Sequence, residues 1–126
     1  MRRLKGEIAA AKGVLFVTPE YNRSIPGVLK NAIDQGSRPA GRSVWRGKPA
    51  GILGVSPGAA GTAMAQQHLR NILVALDVPA LCAPEAFLQA KEGLFDDSGK
   101  IGPASLKYLQ AWMDHYVAWV QRLAGT

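Results

Sequence analysis

The 126-residue sequence has little of what would indicate an extracellular, metal-binding or membrane-spanning protein. It contains one cysteine, Cys82, which excludes an internal disulfide and has no neighbouring ligand with which to form a metal motif. There is no run of about 18 apolar residues, which a transmembrane helix would need. The opening MRRLKGEIAAAKG lacks the apolar stretch and the cleavage site of a signal peptide. We therefore expect a cytoplasmic protein with no membrane partner, in which Cys82 is a small buried hydrophobic residue.

Acidic residues are also scarce, since nine Asp and Glu stand against 15 Lys and Arg, for a formal net charge of +6. Such a charge suits either nucleic acid or an anionic small molecule such as a nucleotide. No nucleic-acid-binding motif is present, so we expect no nucleic-acid partner. The loop that carries Arg38, Arg42, Arg46 and Lys48 is interrupted by Gly and Pro and should be a solvated basic surface. Attraction of nucleotide phosphates is the alternative for this loop.

What the sequence does contain is a regular alternation of strand and helix patterns. The apolar runs VLFVT (14–18), AGILGVS (50–56) and PALCA (79–83) are typical of strands that are covered on both faces. Helical spacing predicts helices near 26–36 and 62–76, with further helices at each end of the chain. Because parallel neighbours need crossover connections, this order predicts an α/β fold with three adjacent parallel strands and helices on both faces. No linker or repeat interrupts it, so residues 1–126 should form one domain.

The last predicted helix carries two apolar strips. One has steps of three and four residues and should face the core, and its members are Leu106, Leu109, Met113, Tyr116, Val120 and Leu123. The other consists of Trp112 and Trp119, which are seven residues apart. We expect these tryptophans to pack against the sheet or against a second subunit.

Two loops follow the carboxyl ends of the first two predicted strands, which is where α/β sheets bind ligands. In PEYNRS (19–24), Pro19 supplies no donor, Tyr21 offers an aromatic face, and Asn22 offers both a donor and an acceptor. SPGAAGT (56–62) is rich in glycine and also opens a helix. Exposed N–H groups at such helix starts favour an anionic group. The pair of loops indicates a site for a flat ligand, although a tight strand-to-helix turn would by itself explain the glycines.

Three titratable residues invite a catalytic role, but each has a simpler structural interpretation. Glu20 can act as an acid or base, yet a carboxylate tied to local backbone donors or to a basic residue is the favoured interpretation. His68 has no Ser, Cys or carboxylate partner at helical spacing, so a structural histidine is expected unless a tertiary contact supplies one. His115 should lie at the surface or at an interface.

Taken together and in order, five segments resemble the NADPH-dependent FMN reductase family, including its chromate- and quinone-reducing members. The segments are TPEYN, SIPGVLKNAID, GKPAGILGVSPGAAG, QQHLRNILVALDV and APE, and the resemblance covers roughly residues 8 to 123. It implies a flavodoxin-like three-layer sandwich with a parallel sheet. It also implies a bound FMN whose ring is held on one side by Pro19, Glu20, Tyr21 and Asn22 and bordered by Ser56, Gly58 and Gly61.

The same resemblance implies an activity in which the cofactor does the chemistry and no side chain is catalytic in the strict sense. Hydride would pass from NAD(P)H to FMN, and electrons would pass on to a small-molecule acceptor: a quinone, a metal oxyanion such as chromate, or free flavin. An electron carrier of the flavodoxin kind fits less well, because such carriers are typically acidic and this chain is at +6.

Two departures from the family pattern qualify this expectation. The family begins with a strand, a phosphate-binding loop of the type GSLRxxSxN, a helix and a second strand, none of which this sequence contains, so we expect an N-terminally incomplete fold. The alternative function is a truncated remnant that folds or oligomerises but binds flavin weakly. In addition, Arg23, Met64 and Gln67 replace the aromatic, Arg and Tyr of a subunit-contact network whose Glu85 is kept.

The absent strands also lead to an expectation about assembly. In the flavodoxin-like strand order, the first family strand would lie beside VLFVT, so residues 14–18 should form an exposed apolar edge. Burial of that edge against another copy would be favourable. We therefore expect a homodimer or a homotetramer.

Overall fold

The computed structural model describes residues 1–125, which form an α/β fold. In chain order the elements are α1 (Arg2–Ala10), β1 (Val14–Thr18), α2 (Gly27–Gly36), β2 (Ala50–Ser56), α3 (Ala63–Ala75), β3 (Phe87–Gln89) and α4 (Pro103–Ala124). The predicted strands at 14–18 and 50–56 are confirmed, and the predicted helices at 26–36 and 62–76 are confirmed to within one residue at each end.

The three strands form one sheet in the order β1-β2-β3, and both pairings are parallel. The register places Val14 opposite Ala50 and Thr18 opposite Gly54, so β1 and β2 end side by side. This confirms the prediction of adjacent parallel strands. The loops that leave the carboxyl ends of β1 and β2 therefore start next to each other.

The sheet separates two hydrophobic clusters. Side chains alternate along a strand, so Phe16 and Ile52 point to one face while Leu15 and Leu53 point to the other. The first face is packed by α1, α2 and α3, whose buried residues include Ile8, Ile33, Leu69 and Leu73. The second face is packed by α4 through Trp112. Helices thus cover both faces, as the alternation of strand and helix patterns predicted.

The position of the third strand was predicted wrongly. Residues 79–83 make only a single parallel bridge, between Ala80 and Ala50, and the strand itself is formed by residues 87–89. The physical reason is that two backbone carbonyls between residues 83 and 87 bond to α4. The Pro84 carbonyl accepts from Trp112 Nε1 at 2.9 Å and the Glu85 carbonyl accepts from the Tyr108 hydroxyl at 3.0 Å, so α4 takes acceptors that a longer strand would have used.

Two burial predictions are corrected as well. Cys82 is exposed, because the chain leaves the sheet after Leu81. On α4 the buried residue is Trp112, whereas Leu106 and Leu123 at the ends of the predicted stripe are 54% and 42% exposed. A helix of 22 residues extends beyond a sheet of three short strands, so only its middle part meets the second face. No helix within residues 1–125 has the length and hydropathy needed to cross a membrane.

A loop at the amino ends of the strands, residues 37–49, is tied closely to the rest of the fold. The buried Trp45 donates from its indole Nε1 to the Ile33 carbonyl at 2.8 Å, and the Gly47 N–H donates to the Asp77 carbonyl at 2.7 Å. Lys48 Nζ donates to the carbonyls of Ala9 and Ala11 at the C-terminal end of α1. The basic residues of this loop therefore lie at the opposite end of the sheet from loops 19–24 and 56–62, which does not favour a contact with a nucleotide there.

Candidate functional site

The loop between β1 and α2 contains a tight turn at residues 21–24. The Tyr21 N–H donates to the Ser24 carbonyl at 2.9 Å, and the Ser24 N–H donates back to the Tyr21 carbonyl at 3.0 Å. The two central residues, Asn22 and Arg23, have φ angles of 51° and 66°. Two consecutive left-handed residues between reciprocal hydrogen bonds are characteristic of a type I′ turn. The turn leaves the Tyr21 side chain 60% exposed at the carboxyl end of the sheet.

Helix α3 holds this loop at both of its ends. A carboxylate oxygen of Glu20, Oε1, accepts from the Ala65 N–H in the first turn of α3 at 2.7 Å. At the other end, Ser24 Oγ lies 2.9 Å from Nδ1 of His68, one turn further along α3. The carboxylate also lies at the positive end of the helix dipole. Glu20 and His68 therefore both have tertiary partners, and the backbone donor for Glu20 is 45 residues away rather than local.

The loop between β2 and α3, residues 57–62, presents unpaired backbone donors. Within residues 1–125, the N–H groups of Gly58, Ala59 and Ala60 make no hydrogen bond to backbone or side chain. The chain then turns at Gly61, where φ is 56° and an added Cβ would lie 2.7 Å from the carbonyl carbon of Phe87. Gly61 is buried, so its part in the site is the turn it permits, whereas Gly58 is exposed.

A buried polar layer supports the two loops. Gln66 is fully buried, and its Nε2 donates to Thr62 Oγ1 at 3.0 Å and to the Ala86 carbonyl at 2.8 Å. Thr62 itself has a φ of 75°, which is unusual for a β-branched residue. Gly54 allows the close approach, because a Cβ there would clash with Thr62 Oγ1 and the Thr18 carbonyl. Neither Gln66 nor Gly54 was predicted from the sequence as part of the site.

One signal for the buried layer was present in the sequence. Gln66 precedes the core residues Leu69 and Leu73 by three and seven positions, which places it on the buried face of α3. A polar side chain on that face needs a partner, so its spacing alone predicts a polar contact beneath the loops. The Oε1 atom of Gln66 is buried without a hydrogen-bond partner in the described residues.

The site residues predicted from the sequence belong to two loops, 19–24 and 56–62. The structure places both loops at the carboxyl ends of neighbouring strands. Pro19 to Asn22 follow β1 directly, and Ser56 and Gly58 end β2 and begin its loop. The exposed ring of Tyr21 can cover a flat ligand, and the free N–H groups of the second loop can donate to carbonyl or ring-nitrogen acceptors. These features fit an isoalloxazine ring. No group of three His, Cys, Asp or Glu within residues 1–125 is placed to hold a metal ion.

A cleft of about 420 Å³ adjoins the first loop between α2 and α3. Ser24 and His68, the pair that closes the loop, belong to its lining, together with Ile25, Gly27, Lys30, Asn71 and Ile72. Lys30 Nζ is paired with a carboxylate oxygen of Asp34 at 3.0 Å. His115, in contrast, lies exposed on α4, where its Nδ1 is 2.8 Å from the Ala111 carbonyl.

Comparison with known proteins shows to which family the chain belongs. The sequence profile of the NADPH-dependent FMN reductase family matches residues 1–92. The chain belongs to the NADPH-dependent FMN reductase family. The flavodoxin-like fold expected from the sequence is therefore confirmed.

Three relatives of this FMN reductase family member are informative. The chain is 51% identical to a quinone reductase of Pseudomonas putida over 95% of its own length and 64% of that protein. It is 53% identical to a 2-hydroxy-1,4-benzoquinone reductase of a Burkholderia species, over 95% of the chain and 66% of that protein. Among solved structures, the flavoenzyme NAD(P)H:(acceptor) oxidoreductase FerB from Paracoccus denitrificans is 41% identical with a TM-score of 0.90, covering 96% of this chain and 67% of FerB.

The chain spans about two thirds of the length of these relatives, between 64% and 67%. A more distant structure, the general stress protein 14 of Treponema denticola in complex with FMN, is 14% identical with a TM-score of 0.54, over 97% of this chain and 72% of that one. At that level of identity it supports the fold alone.

Proposed function

We propose that residues 1–126 form a single flavin reductase domain that acts in the cytoplasm as an NAD(P)H-dependent FMN oxidoreductase and reduces quinones. The observation that carries the proposal is the meeting of an exposed aromatic turn and a loop of unpaired backbone donors at the carboxyl end of the sheet. Names of relatives at 51% and 53% identity point to quinones as the acceptor class. Metal oxyanions such as chromate and free flavin are further candidate acceptors.

In this proposal the protein binds and orients the cofactor and the substrates, and no side chain transfers a proton. Tyr21 and Asn22 contact one side of the ring together with Pro19, and Glu20 keeps the turn in place through its bond to α3. The N–H groups after Ser56 would donate to acceptor atoms of the ring, and Gly58 and Gly61 would allow the backbone to come close to it. When bound, FMN would take a hydride from NAD(P)H and return two electrons to the quinone, so that NAD(P)H, H⁺ and quinone become NAD(P)⁺ and hydroquinone.

We also propose that the protein is a homodimer or a homotetramer. In the described sheet, β1 is an edge strand and Val17 on it is 61% exposed, although it is flanked by the buried Phe16 and Thr18. A flat apolar edge can pair with another chain, and burial of its surface is favourable by about 25 cal/mol for each Å². Sedimentation at micromolar concentration tests this, and a stable monomer of the formula mass would contradict it.

The activity is tested on purified protein to which FMN is added. We expect FMN fluorescence to be quenched on binding, and NADPH or NADH to be consumed when 1,4-benzoquinone is then supplied. Free FMN at the same concentration without protein is the control. A folded protein that neither quenches nor retains FMN would contradict the proposal and would support the inactive remnant instead.

A further inference from the structure

Arg23 occupies a backbone conformation that does not suit arginine. At φ 66° it holds the second central position of the turn at residues 21–24, where Gly, Asn and Asp are the favoured residues. Its neighbour Asn22, at φ 51°, is of the favoured type. A left-handed arginine is therefore kept at a conformational cost, and such costs concentrate at functional sites.

Contacts to α3 hold both ends of this turn. Its ends are held by the bond from the Ala65 N–H to Glu20 and by the Ser24 to His68 contact, at 2.7 Å and 2.9 Å. Both contacts lead to the same helix, α3. The position of Arg23 relative to Tyr21 and to the cleft beside Ser24 is thus defined by the fold.

Within residues 1–125, no carboxylate forms an ion pair with Arg23. The described residues contain three ion pairs, Arg3–Glu7, Lys30–Asp34 and Arg70–Glu85, and Arg23 belongs to none of them. Its side chain is exposed. The one carboxylate of the same loop, Glu20, faces the N-terminus of α3 instead. The turn therefore presents an uncompensated positive charge at the mouth of the candidate site.

We propose that Arg23 makes this site selective for negatively charged acceptors, with ionised hydroxyquinones as the substrate class. The inference rests on the proposed function and adds the charge of the substrate to it. An ionised hydroxyquinone bears its negative charge only before reduction. Its reduction consumes NAD(P)H and two protons and gives NAD(P)⁺ and a neutral hydroxy-hydroquinone, because the charged oxygen becomes an ordinary phenol. The attraction therefore acts on encounter and binding, so it should change KM more than kcat.

The test compares 2-hydroxy-1,4-benzoquinone, which is ionised at neutral pH, with neutral 1,4-benzoquinone on the FMN-loaded protein. The variant R23N removes the charge while keeping a residue that suits the left-handed position, and R23K keeps the charge. We expect R23N to lower the ratio of kcat/KM for the anionic over the neutral quinone by ~3–10-fold, mainly through KM. R23K should stay within about twofold of the parent, and added salt should reduce the difference between parent and R23N.

Arg42→Asn is the matched control, because Arg42 is an exposed arginine outside the three ion pairs and lies in the loop at the other end of the sheet. It should leave the ratio unchanged. An unchanged ratio in R23N, or an equal loss in R42N, would overturn the inference about Arg23. If the parent protein still reduced both quinones, the proposed function would stand. A parent protein that binds FMN but reduces neither quinone would overturn both.

Discussion

The two ends of the sheet are built on opposite principles. At the amino end, loop 37–49 buries Trp45 and satisfies its polar groups with carbonyls of Ile33, Ala9 and Ala11. At the carboxyl end, two residues of the turn at residues 21–24 are left-handed, and the following loop leaves backbone donors unpaired. Hydrogen bonds between buried polar groups stabilise the fold. Unpaired donors and strained turns do not stabilise it, but they are available to bind a ligand.

This contrast predicts that substitutions at the two ends separate stability from binding. A change at the amino end should shift the free energy of unfolding and leave the intrinsic affinity for FMN unchanged. A change at the carboxyl end should act on FMN binding, with an intermediate case in the buried layer between them. Four measurements test this, in order of decreasing effect.

Trp45→Ala should give the largest change in stability. The indole is 4% exposed, stacks at a tilt on Phe16 with 5.7 Å between the ring centroids, and donates to the Ile33 carbonyl. Its truncation should cost about 3–5 kcal/mol in urea unfolding, and Trp45→Phe, which mainly loses the hydrogen bond, about 1–2 kcal/mol. A loss below about 1 kcal/mol for the alanine variant would show that loop 37–49 does not stabilise the fold.

Gly54→Ala should affect both properties, because Gly54 lies under the loops. A Cβ at this position would clash with Thr62 Oγ1 and the Thr18 carbonyl, and backbone cannot move aside cheaply. We expect a loss of roughly 1–3 kcal/mol in urea unfolding together with weaker FMN binding in fluorescence titration. Gly6→Ala is the control, since a Cβ there meets nothing within 4 Å and alanine favours the helix. Unchanged FMN affinity in the Gly54 variant would remove the buried layer from the site.

Tyr21→Ala and Asn22→Ala should weaken FMN binding without a large loss of stability. Both side chains are exposed, so their removal leaves no cavity, and alanine at the left-handed position of Asn22 costs about 1 kcal/mol. We propose that these two groups contact the ring. We expect the Kd for FMN to rise on the order of tenfold, or about 1.4 kcal/mol. His68→Ala should have a smaller effect through the Ser24 contact, and His115→Ala none. Equal effects at all four positions would contradict the assignment of the site.

The smallest effect is expected for a substitution of Asp96. This residue lies in a turn at residues 96–100, within the loop that connects β3 to α4. Hydrogen bonds from the Ser98 hydroxyl and then from the Lys100 N–H hold the pKa of Asp96 below its ordinary value of 3.8. A carboxyl whose folded pKa is lowered stabilises the turn at pH values above its unfolded pKa, and this stabilisation is lost as the pH falls through the folded pKa.

Amide exchange and carboxyl NMR titration can detect this local effect. Asp96→Ala should speed exchange at the Lys100 and Ser98 amides near pH 5 and leave both the urea midpoint and FMN binding unchanged. A titration of Asp96 at or above 3.8 would show that the turn does not bind the carboxylate in this way. A change in FMN binding would place this turn in the site. It would then contradict the assignment of FMN binding to loops 19–24 and 56–62 alone.

Much of the fold was predictable from the sequence, because local patterns decide which segments become strands and helices. The runs 14–18 and 50–56 are apolar and contain β-branched residues, so they can be covered on both faces, and their strands have the predicted limits. PALCA at 79–83 is also apolar, but it contains no β-branched residue and forms only one bridge. Its carbonyl neighbours bond to Trp112 and Tyr108 of α4, and no local pattern reveals a competition with a helix more than 20 residues away.

The site divides in the same way. The residue types in loops 19–24 and 56–62, and their place after two strands, indicated by sequence alone where a flat cofactor would be held and to which family the chain is similar. Only the tertiary structure decided that α3 holds Glu20 and Ser24, and that Gln66 and Thr62 lie buried beneath the loops. It also decided that Arg23 is left-handed and makes no ion pair within residues 1–125. The reason is that secondary structure follows from neighbours along the chain, whereas a hydrogen bond between residues 45 apart exists only after the sheet has brought them together.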